Sequence, residues 1–199
     1  MADKLVIEIF KKKNADEFTQ ALSDPECRMQ VGSASAQTAA MASAMCLRSA
    51  RIIASAGQTN ERLDYILRNA EILRGYMVHL IDEDIKSRGP LNRALKEGGE
   101  REIEASRHSA VCINAEIANM MQTCLSFLNE LAGMGDDGAR MYIVSASELA
   151  LAAVKVSCCG VHEMAEQCID ETYRFVTRRE NEAAIAESEK LYSEVMSKI

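Results

Sequence analysis

Three consecutive carboxylates, Asp82, Glu83 and Asp84, are the side chains of this sequence best suited to acid/base chemistry. A carboxylate can accept and return a proton, and it stabilises positive charge that develops on a substrate. The three lie in a helical pattern, where consecutive side chains point about 100° apart, so at most two of them face one cavity. Repulsion within the cluster could raise one pKa into a range that suits proton transfer. The alternative is a solvated helix end without a chemical role.

Two serines stand where the start of a helix could present hydrogen-bond donors to a ligand. The Gly32–Ser33 pair precedes an Ala-rich helical pattern, and such a turn offers free backbone N–H groups and a hydroxyl to an anion or a carbonyl. Ser145, with Glu148 three residues later, has the pattern of a capping box that opens a later helix. In both places the alternative is an ordinary helix cap.

One cation lies in an otherwise uncharged stretch of the predicted fifth helix. Lys155 is the only charged residue in the stretch 149–161. It could neutralise a ligand carboxylate or Glu148, and the alternative is a side chain that extends along the surface into water.

The seven cysteines and three histidines allow a metal site or a thiol nucleophile as rival hypotheses. A nucleophile could pair Cys158 with His162, one helical turn away. Zinc could use a set of nitrogen and sulfur ligands, which comprises His108, Cys112, Cys158, Cys159 and His162. The Cys-x-x-Cys spacing of many zinc sites is absent, so we expect no metal. An odd number of cysteines within helical patterns is typical of reduced thiols and a cytoplasmic protein.

Composition narrows the classes of partner. The chain has 199 residues with 23 basic and 30 acidic side chains, so its net charge is -7 and it contains no long basic block. We therefore expect no nucleic-acid binding. No run of 18 apolar residues occurs, which argues against a membrane span.

Helical periodicity runs through almost the whole sequence. Asn14 and Glu17 form the pattern of a capping box for a first helix, and Gly57 is placed to end the second. The Gly89–Pro90 pair is expected to break the third helix. The predicted helices span 15–22, 34–55, 59–87, about 100–131, 145–178 and about 181 to the end. The fold prediction is an all-α antiparallel bundle of five to six long helices in one domain, 1–199, and the excess of apolar residues favours a homodimer.

The order of these pieces resembles the cyclodeaminase/cyclohydrolase family. The resemblance runs from about residue 15 to the end, and five short segments carry it. They are Gln30–Ser33 before the Ala-rich helix, the acidic cluster Asp82–Asp84, Ile113–Ala115 in the next long helix, the Gly135–Asp136 loop and Ser145–Glu148.

The resemblance implies an enzyme of folate-dependent one-carbon metabolism, with no metal and no cofactor beyond a tetrahydrofolate derivative as substrate. Family cyclohydrolases add water to a methenyl carbon, and cyclodeaminases close a formimino group onto a neighbouring nitrogen and expel ammonia. It implies that Asp84 handles protons, that Gly32, Ser33 and Ser145 position the ligand, and that Lys155 offsets its charge in a pocket near a homodimer contact. Arg174, Arg178 and Arg179 could bind the acidic folate tail.

Departures from the family pattern support a second hypothesis. Two glycines of the family's turn are missing before Ser33, Asn114 stands where the family has proline, and Ala146 stands where it has aspartate. The chain could then be a catalytically silent paralogue that keeps the dimeric bundle and binds a partner protein or an altered ligand.

Overall fold

A computed structural model describes residues 9–199, and long helices dominate it. After a short 3₁₀ turn at Phe10–Lys12, the helices are α1 (Ala15–Ser23), α2 (Val31–Ser55), α3 (Glu61–Glu97), α4 (Glu100–Ala132), α5 (Asp137–Ala165) and α6 (Glu171–Lys198). The described part of the chain contains no strand. The predictions of an all-α fold and of six helices are therefore confirmed.

Helix α2 occupies the centre of the bundle, where it packs against α3, α4 and α5. Its small residues permit this, because Ala36, Ala39, Ala42 and Ala50 are fully buried and let the neighbouring backbones approach closely. Helix α6 lies outside this group and packs on α4 and α5.

From α2 onward, helices that follow one another along the chain run antiparallel. Ser35 of α2 contacts Ser157 of α5, with 2.6 Å between the hydroxyl oxygens. At the other end of α2, a Cβ built on Gly138 would lie 3.4 Å from Ile52. The start of α2 therefore lies beside the end of α5. Helices α2 and α3 also run antiparallel, because Arg51 near the end of α2 binds Glu71 in the first third of α3.

Two local predictions at helix ends are confirmed. The Asn14 side chain accepts the Glu17 N–H, and the Glu17 carboxylate accepts the Asn14 N–H. Gly57 has φ 92°, the left-handed conformation that ends α2 and that glycine adopts without strain. Both devices act between residues three or four apart, so the sequence alone specifies them.

The predicted break at Gly89–Pro90 is wrong, because α3 continues through Pro90 to Glu97. Proline removes one backbone hydrogen bond from a helix, and the following turn must offset that loss. Beyond the proline, Leu91 and Ala94 are buried at 4% and 9% exposure. Their packing holds the last turns of the helix in place.

The predicted start of the fifth helix at Ser145 is also wrong. Helix α5 begins at Asp137, where the Asp136 side chain caps it by accepting the Ala139 N–H. Ser145 lies two turns inside the helix, and its hydroxyl donates to the Met141 carbonyl at 2.8 Å. The glycine-rich sequence before it has the composition of a loop, but Asp136 supplies a better cap.

The expected boundary between the last two helices falls elsewhere as well. Helix α5 ends at Ala165, and α6 begins at Glu171 after Asp170, which accepts the N–H groups of Thr172 and Tyr173. Asn181, the predicted start, lies within α6 and donates to the Cys158 carbonyl at 3.0 Å. The two segments have similar helical periodicity, so the pattern does not locate the turn between them.

Helix α5 alone, among the described residues, is long and apolar enough to cross a membrane by length and composition. Half of its most apolar window is buried inside the bundle. A core helix of a soluble protein has the same properties, so this observation adds no argument for a membrane span.

Candidate active site

Asp84 lies at the junction between α3 and the first turn of α2, and its side chain is fully buried. Its Oδ2 accepts the Ser33 backbone N–H at 2.9 Å and faces the Ser33 hydroxyl at 3.0 Å. That hydroxyl also lies 3.0 Å from the Ile81 carbonyl and has one proton to donate to either oxygen. The start of α2 therefore holds a buried carboxylate of α3 with its own backbone.

The other two carboxylates of the cluster point elsewhere, as helical geometry requires. Asp82 is buried but accepts the backbone N–H groups of Phe10 and Lys11 at 2.8 and 3.3 Å, so it anchors the N-terminal turn. Glu83 binds Lys86 at the surface, at 2.6 Å. Only Asp84 faces the junction with Gly32 and Ser33.

Gly32 allows Asp84 to approach the backbone of α2. A Cβ built at residue 32 would lie 2.3 Å from Asp84 Oδ1 and 2.9 Å from Asn114 Oδ1. No real Cβ tolerates such distances, so any side chain here would displace the carboxylate. Val31, the preceding residue, is 51% exposed and does not fill this region.

Asn114 of α4 and Gly160 of α5 complete the junction. The Asn114 side chain is buried, and it lies against Gly160, where an added Cβ would be 3.1 Å from its Cγ. Four helices thus meet around two polar side chains, Asp84 and Asn114. Asp84 Oδ1 and Asn114 Oδ1 have no hydrogen-bond partner within the described part of the chain.

Burial raises the pKa of Asp84 above its ordinary value, while the Ser33 hydroxyl, the nearby Arg88 and the Ser33 N–H each oppose the rise. Desolvation has the largest effect because a charged carboxylate loses more favourable hydration free energy on burial than a neutral carboxyl group does. A proton on Oδ1 would also convert this atom into a donor for an acceptor such as the Asn114 oxygen. A raised pKa brings the carboxyl group closer to the range that proton transfer by an acid/base catalyst requires.

Ser145 and Lys155 do not join this junction in the single chain. Ser145 lies three turns from Ser157 along α5, so about 18 Å of helix separates it from the level of Ser35. Lys155 is exposed and binds Glu189 of α6, with 2.6 Å between Nζ and Oε1. The Glu148 carboxylate, a suggested partner of Lys155, accepts the Tyr192 hydroxyl instead.

Two of the three arginines suggested for an acidic tail, Arg174 and Arg178, are engaged by other groups. Arg178 binds Glu166 at 2.6 Å, and Arg174 donates to the Cys168 carbonyl at 2.8 Å. Arg88 is nearer to the junction, and its buried Nε has no hydrogen-bond partner among the described residues. Of these cations, Arg88 is the one placed to attract an anion toward Asp84.

The five residues considered for zinc do not assemble. Within residues 9–199, no metal-binding group includes Cys112, Cys158, Cys159 or His162. Burial raises the pKa of the Cys158 thiol to about 11, with the neighbouring Cys159 adding to the rise, which argues against a reactive thiolate there.

The sequence contained signals for the two site residues that we did not predict. Asn114 is a polar side chain on the buried face of α4, between Val111 and Ile117, where an apolar residue is expected. Gly160 is a glycine in the interior of α5, where it weakens the helix and therefore indicates a close contact. Neither signal identifies the partner that the residue contacts.

Two open surface depressions lie away from this junction. One has a volume of about 70 Å³ and is lined by residues that include Asp136 and Ile143, and the other lies beside α1. Neither is lined by Asp84, Gly32 or Asn114.

Comparison with known proteins places this geometry in a family context. A family model described as Formiminotransferase-cyclodeaminase matches residues 14–183, which is most of the chain. The crystal structure of formiminotetrahydrofolate cyclodeaminase from Thermotoga maritima superposes with a TM-score of 0.86 at 19% sequence identity, covering 94% of this chain and 96% of that one. No curated protein sequence matches significantly. At this identity the structural similarity establishes the fold.

Proposed function

Because the chain belongs to the formiminotransferase-cyclodeaminase family, as the order of its sequence elements indicated, we propose that it catalyses a one-carbon reaction of a tetrahydrofolate derivative. Both comparisons name a cyclodeaminase, so we favour ring closure of formiminotetrahydrofolate with release of ammonia over hydrolysis of the methenyl form. Asp84 is the proposed acid/base residue, and Gly32 and Ser33 are proposed to contact the substrate. Ser145 and Lys155 lie away from this junction in the single chain, so we propose that they contact the substrate and offset its charge from a second copy of the chain.

The observation that carries this proposal is the burial of the Asp84 carboxylate with one of its two oxygens lacking a hydrogen-bond partner among the described residues. A buried carboxylate with one oxygen held by Ser33 and the other without a partner is costly to maintain in a purely structural role. Gly32 keeps space for it at the expense of helix stability. Such an arrangement is typical of a functional site.

The chemistry needs one proton shuttle. The neighbouring nitrogen attacks the carbon of the protonated formimino group, so a new C–N bond forms and the C=NH2+ double bond becomes a single bond to an NH2 group. The bond from the carbon to this NH2 group then breaks, and the positive charge stays on the methenyl product. Asp84 would take the proton that the attacking nitrogen loses and return it to the departing nitrogen, which leaves as ammonia. The positive charge of the methenyl product would be stabilised by the same carboxylate once it is ionised.

A homodimer would complete this site. The stretch of α2 from Val31 to Met45 carries no charged residue, yet Val31 and Met41 are 51% and 44% exposed. The same stretch begins at the Asp84 junction. We propose that a second copy of the chain covers this face and forms a substrate pocket near Gly32. We also propose that the protein is cytoplasmic and that its cysteines are reduced.

Absorbance tests the reaction and its direction. Methenyltetrahydrofolate absorbs in the near ultraviolet, so cyclodeaminase activity creates the band and cyclohydrolase activity removes it. We expect Asp84→Asn to slow turnover by about 10²–10⁴-fold, because it removes the proton shuttle. Glu83→Gln, the matched control one residue away, should retain activity. Full activity in Asp84→Asn would refute the assignment.

One observation favours the second candidate function, a silent paralogue. Asp84, Asn114, Gly32 and Gly160 pack closely in the single chain, and neither of the two surface depressions is lined by Asp84. A folded protein that accelerates neither reaction over buffer would support this candidate. Calorimetric titration with tetrahydrofolate then distinguishes a ligand-binding paralogue from one that binds only proteins.

A further inference from the structure

A second cluster of chemically competent side chains lies at the connection between α5 and α6. Glu104 and His108, one turn apart on α4, face Cys168 in this connection. One ligand atom from each residue, a carboxylate oxygen, an imidazole nitrogen and the sulfur, lies within 4.8 Å of the other two. The proposed acid/base site uses none of these residues.

The cluster contains buried polar atoms that the described protein atoms do not satisfy. Glu104 Oε2 and His108 Nε2 are buried and have no hydrogen-bond partner among the described residues. His108 Nε2 lies 3.4 Å from Glu104 Oε1 without hydrogen-bond geometry. Buried polar atoms without a partner are rare in native proteins, and coordination of a metal ion is one way in which such atoms are satisfied.

The ligand side chains are held in position before any ion binds. Glu104 Oε1 accepts the backbone N–H groups of Ile169 and Asp170 at 2.8 and 3.2 Å, which leaves Oε2 available. The His108 ring stacks on Tyr173, with 3.9 Å between ring centroids. Cys168 is 1% exposed, and its sulfur has only a long contact of 3.7 Å to the Met164 carbonyl.

We propose that Glu104, His108 and Cys168 bind one divalent zinc ion, with water as the fourth ligand. Oxygen, nitrogen and sulfur together suit zinc, and a set with a thiolate does not suit magnesium or calcium. The ion would connect α4 to the segment between α5 and α6. Its role is structural, because it fixes the direction in which α6 leaves that connection.

Binding requires one proton to leave. Burial, with Glu104 and Asp170, raises the pKa of the Cys168 thiol against the opposing effects of Arg107 and Arg174, so the thiol is protonated at neutral pH. Zinc displaces that proton and binds the thiolate. Burial disfavours the charged form of Glu104, but the two backbone hydrogen bonds, with His108 and Arg107, hold its pKa below the ordinary value, so no proton leaves from it.

Arg107 would compete with zinc for Glu104. Its guanidinium lies 3.8 Å from Glu104 Oε2, the oxygen that zinc would use. Zinc must displace this contact, so we expect Arg107→Gln to bind zinc more tightly than the native chain. A cluster that is only an ion-pair network would gain no affinity from this change.

The test uses the untagged full chain after removal of metal with a chelator. Titration calorimetry with zinc should give one ion per chain, with about one proton released when the heat is compared in two buffers at pH 7. Free zinc at 100 times Kd should raise Tm by about 5–10 °C. Cobalt should give the near-ultraviolet charge-transfer absorption of a thiolate ligand.

Variants identify the site. Cys168→Ser should lose the cobalt absorption, and it should weaken zinc binding by about 100-fold or more, as should His108→Ala. His162→Ala and Cys159→Ser are the matched controls, because His162 and Glu166 repeat the spacing of His108 and Glu104 without a facing cysteine. Circular dichroism verifies that each variant is helical.

Two results would overturn the proposal. One is the absence of stoichiometric zinc binding by the native chain. The other is binding that the controls abolish and that Cys168→Ser leaves intact. Because neither readout involves a folate, failure of the zinc site is distinguishable from failure of the proposed enzyme activity.

Discussion

At the scale of single residues, the junction around Asp84 depends on the absence of a side chain at Gly32. The absent side chain lets a carboxylate of α3 reach the backbone of α2, and the Asp84 carboxylate is stabilised there by the N–H and hydroxyl of Ser33. Removing water from a carboxylate costs free energy that these contacts offset only in part.

Gly32→Ala should destabilise the fold by about 1–3 kcal/mol, because the new Cβ overlaps Asp84 and forces it away from Ser33. Gly75→Ala is the control, since residue 75 lies in α3 with no atom within 4 Å of an added Cβ. That substitution should stabilise by about 0.5–1 kcal/mol through helix propensity. Urea unfolding measures both, and equal effects would contradict the close approach at Gly32.

The stability of the native chain should fall as pH rises from the ordinary aspartate value of 3.8 through the raised pKa of Asp84. In this window the folded state keeps a proton that the unfolded state has lost, so increasing pH favours unfolding. Asp84→Asn lacks this contribution.

The comparison is made by urea unfolding at a series of pH values. The free energy of unfolding of Asp84→Asn, relative to the native chain, should increase across the window and become constant above it. A difference that does not vary with pH would show that the pKa of Asp84 is not raised.

At the scale of elements, the ends of helices decide which side chains reach the site. Helix α5 begins at Asp137 and not at Ser145, so two additional turns pack beside the end of α2. Helix α3 continues past Pro90 because Leu91 and Ala94 are buried. These extensions lengthen the antiparallel contacts that hold Asp84, Asn114 and Gly160 together.

Asp136→Ala should cost about 0.5–2 kcal/mol, because it removes the side chain that caps α5. Ser145→Ala, the matched change at the expected start, should alter stability by less than about 0.5 kcal/mol, since this hydroxyl bonds only within the helix. Thermal or urea unfolding of the two variants compares them directly. A larger loss in Ser145→Ala would contradict the observed start of α5.

At the scale of the whole molecule, the outward face of α2 is a candidate contact surface, because Val31 and Met41 stay 51% and 44% exposed in the single chain. It is uncharged from Val31 to Met45, and it begins at the Asp84 junction. A second copy of the chain would bury this face and provide walls for a substrate, as the homodimer prediction expects. Helix α6 packs on α4 and α5, away from this face.

Light scattering should give a mass of twice 21.9 kDa for the native chain in solution. Met41→Glu, which puts a charge on the α2 face, should shift the mass toward one chain and reduce turnover. Phe175→Glu is the control, because this residue is 64% exposed on α6. Dissociation caused by Phe175→Glu and not by Met41→Glu would place the contact elsewhere.

The sequence by itself determined the all-α class, a count of five to six helices and the family, because these depend on periodicity and on the order of segments. It also determined the Asn14–Glu17 capping box and the end of α2 at Gly57, since both act within one turn of the chain. It singled out Asp84 from three carboxylates only through the resemblance.

Tertiary structure decided the rest. Whether α3 ends at Pro90 depends on burial, and whether Ser145 or Asp136 caps α5 depends on which turns pack against α2. Gly32, Asp84, Asn114 and Gly160 meet although they are as many as 128 positions apart in the sequence. Cys168, between α5 and α6, likewise faces Glu104 of α4. The spacing of residues within one helix does not predict such contacts, because they arise from the free energy of packing whole helices against one another.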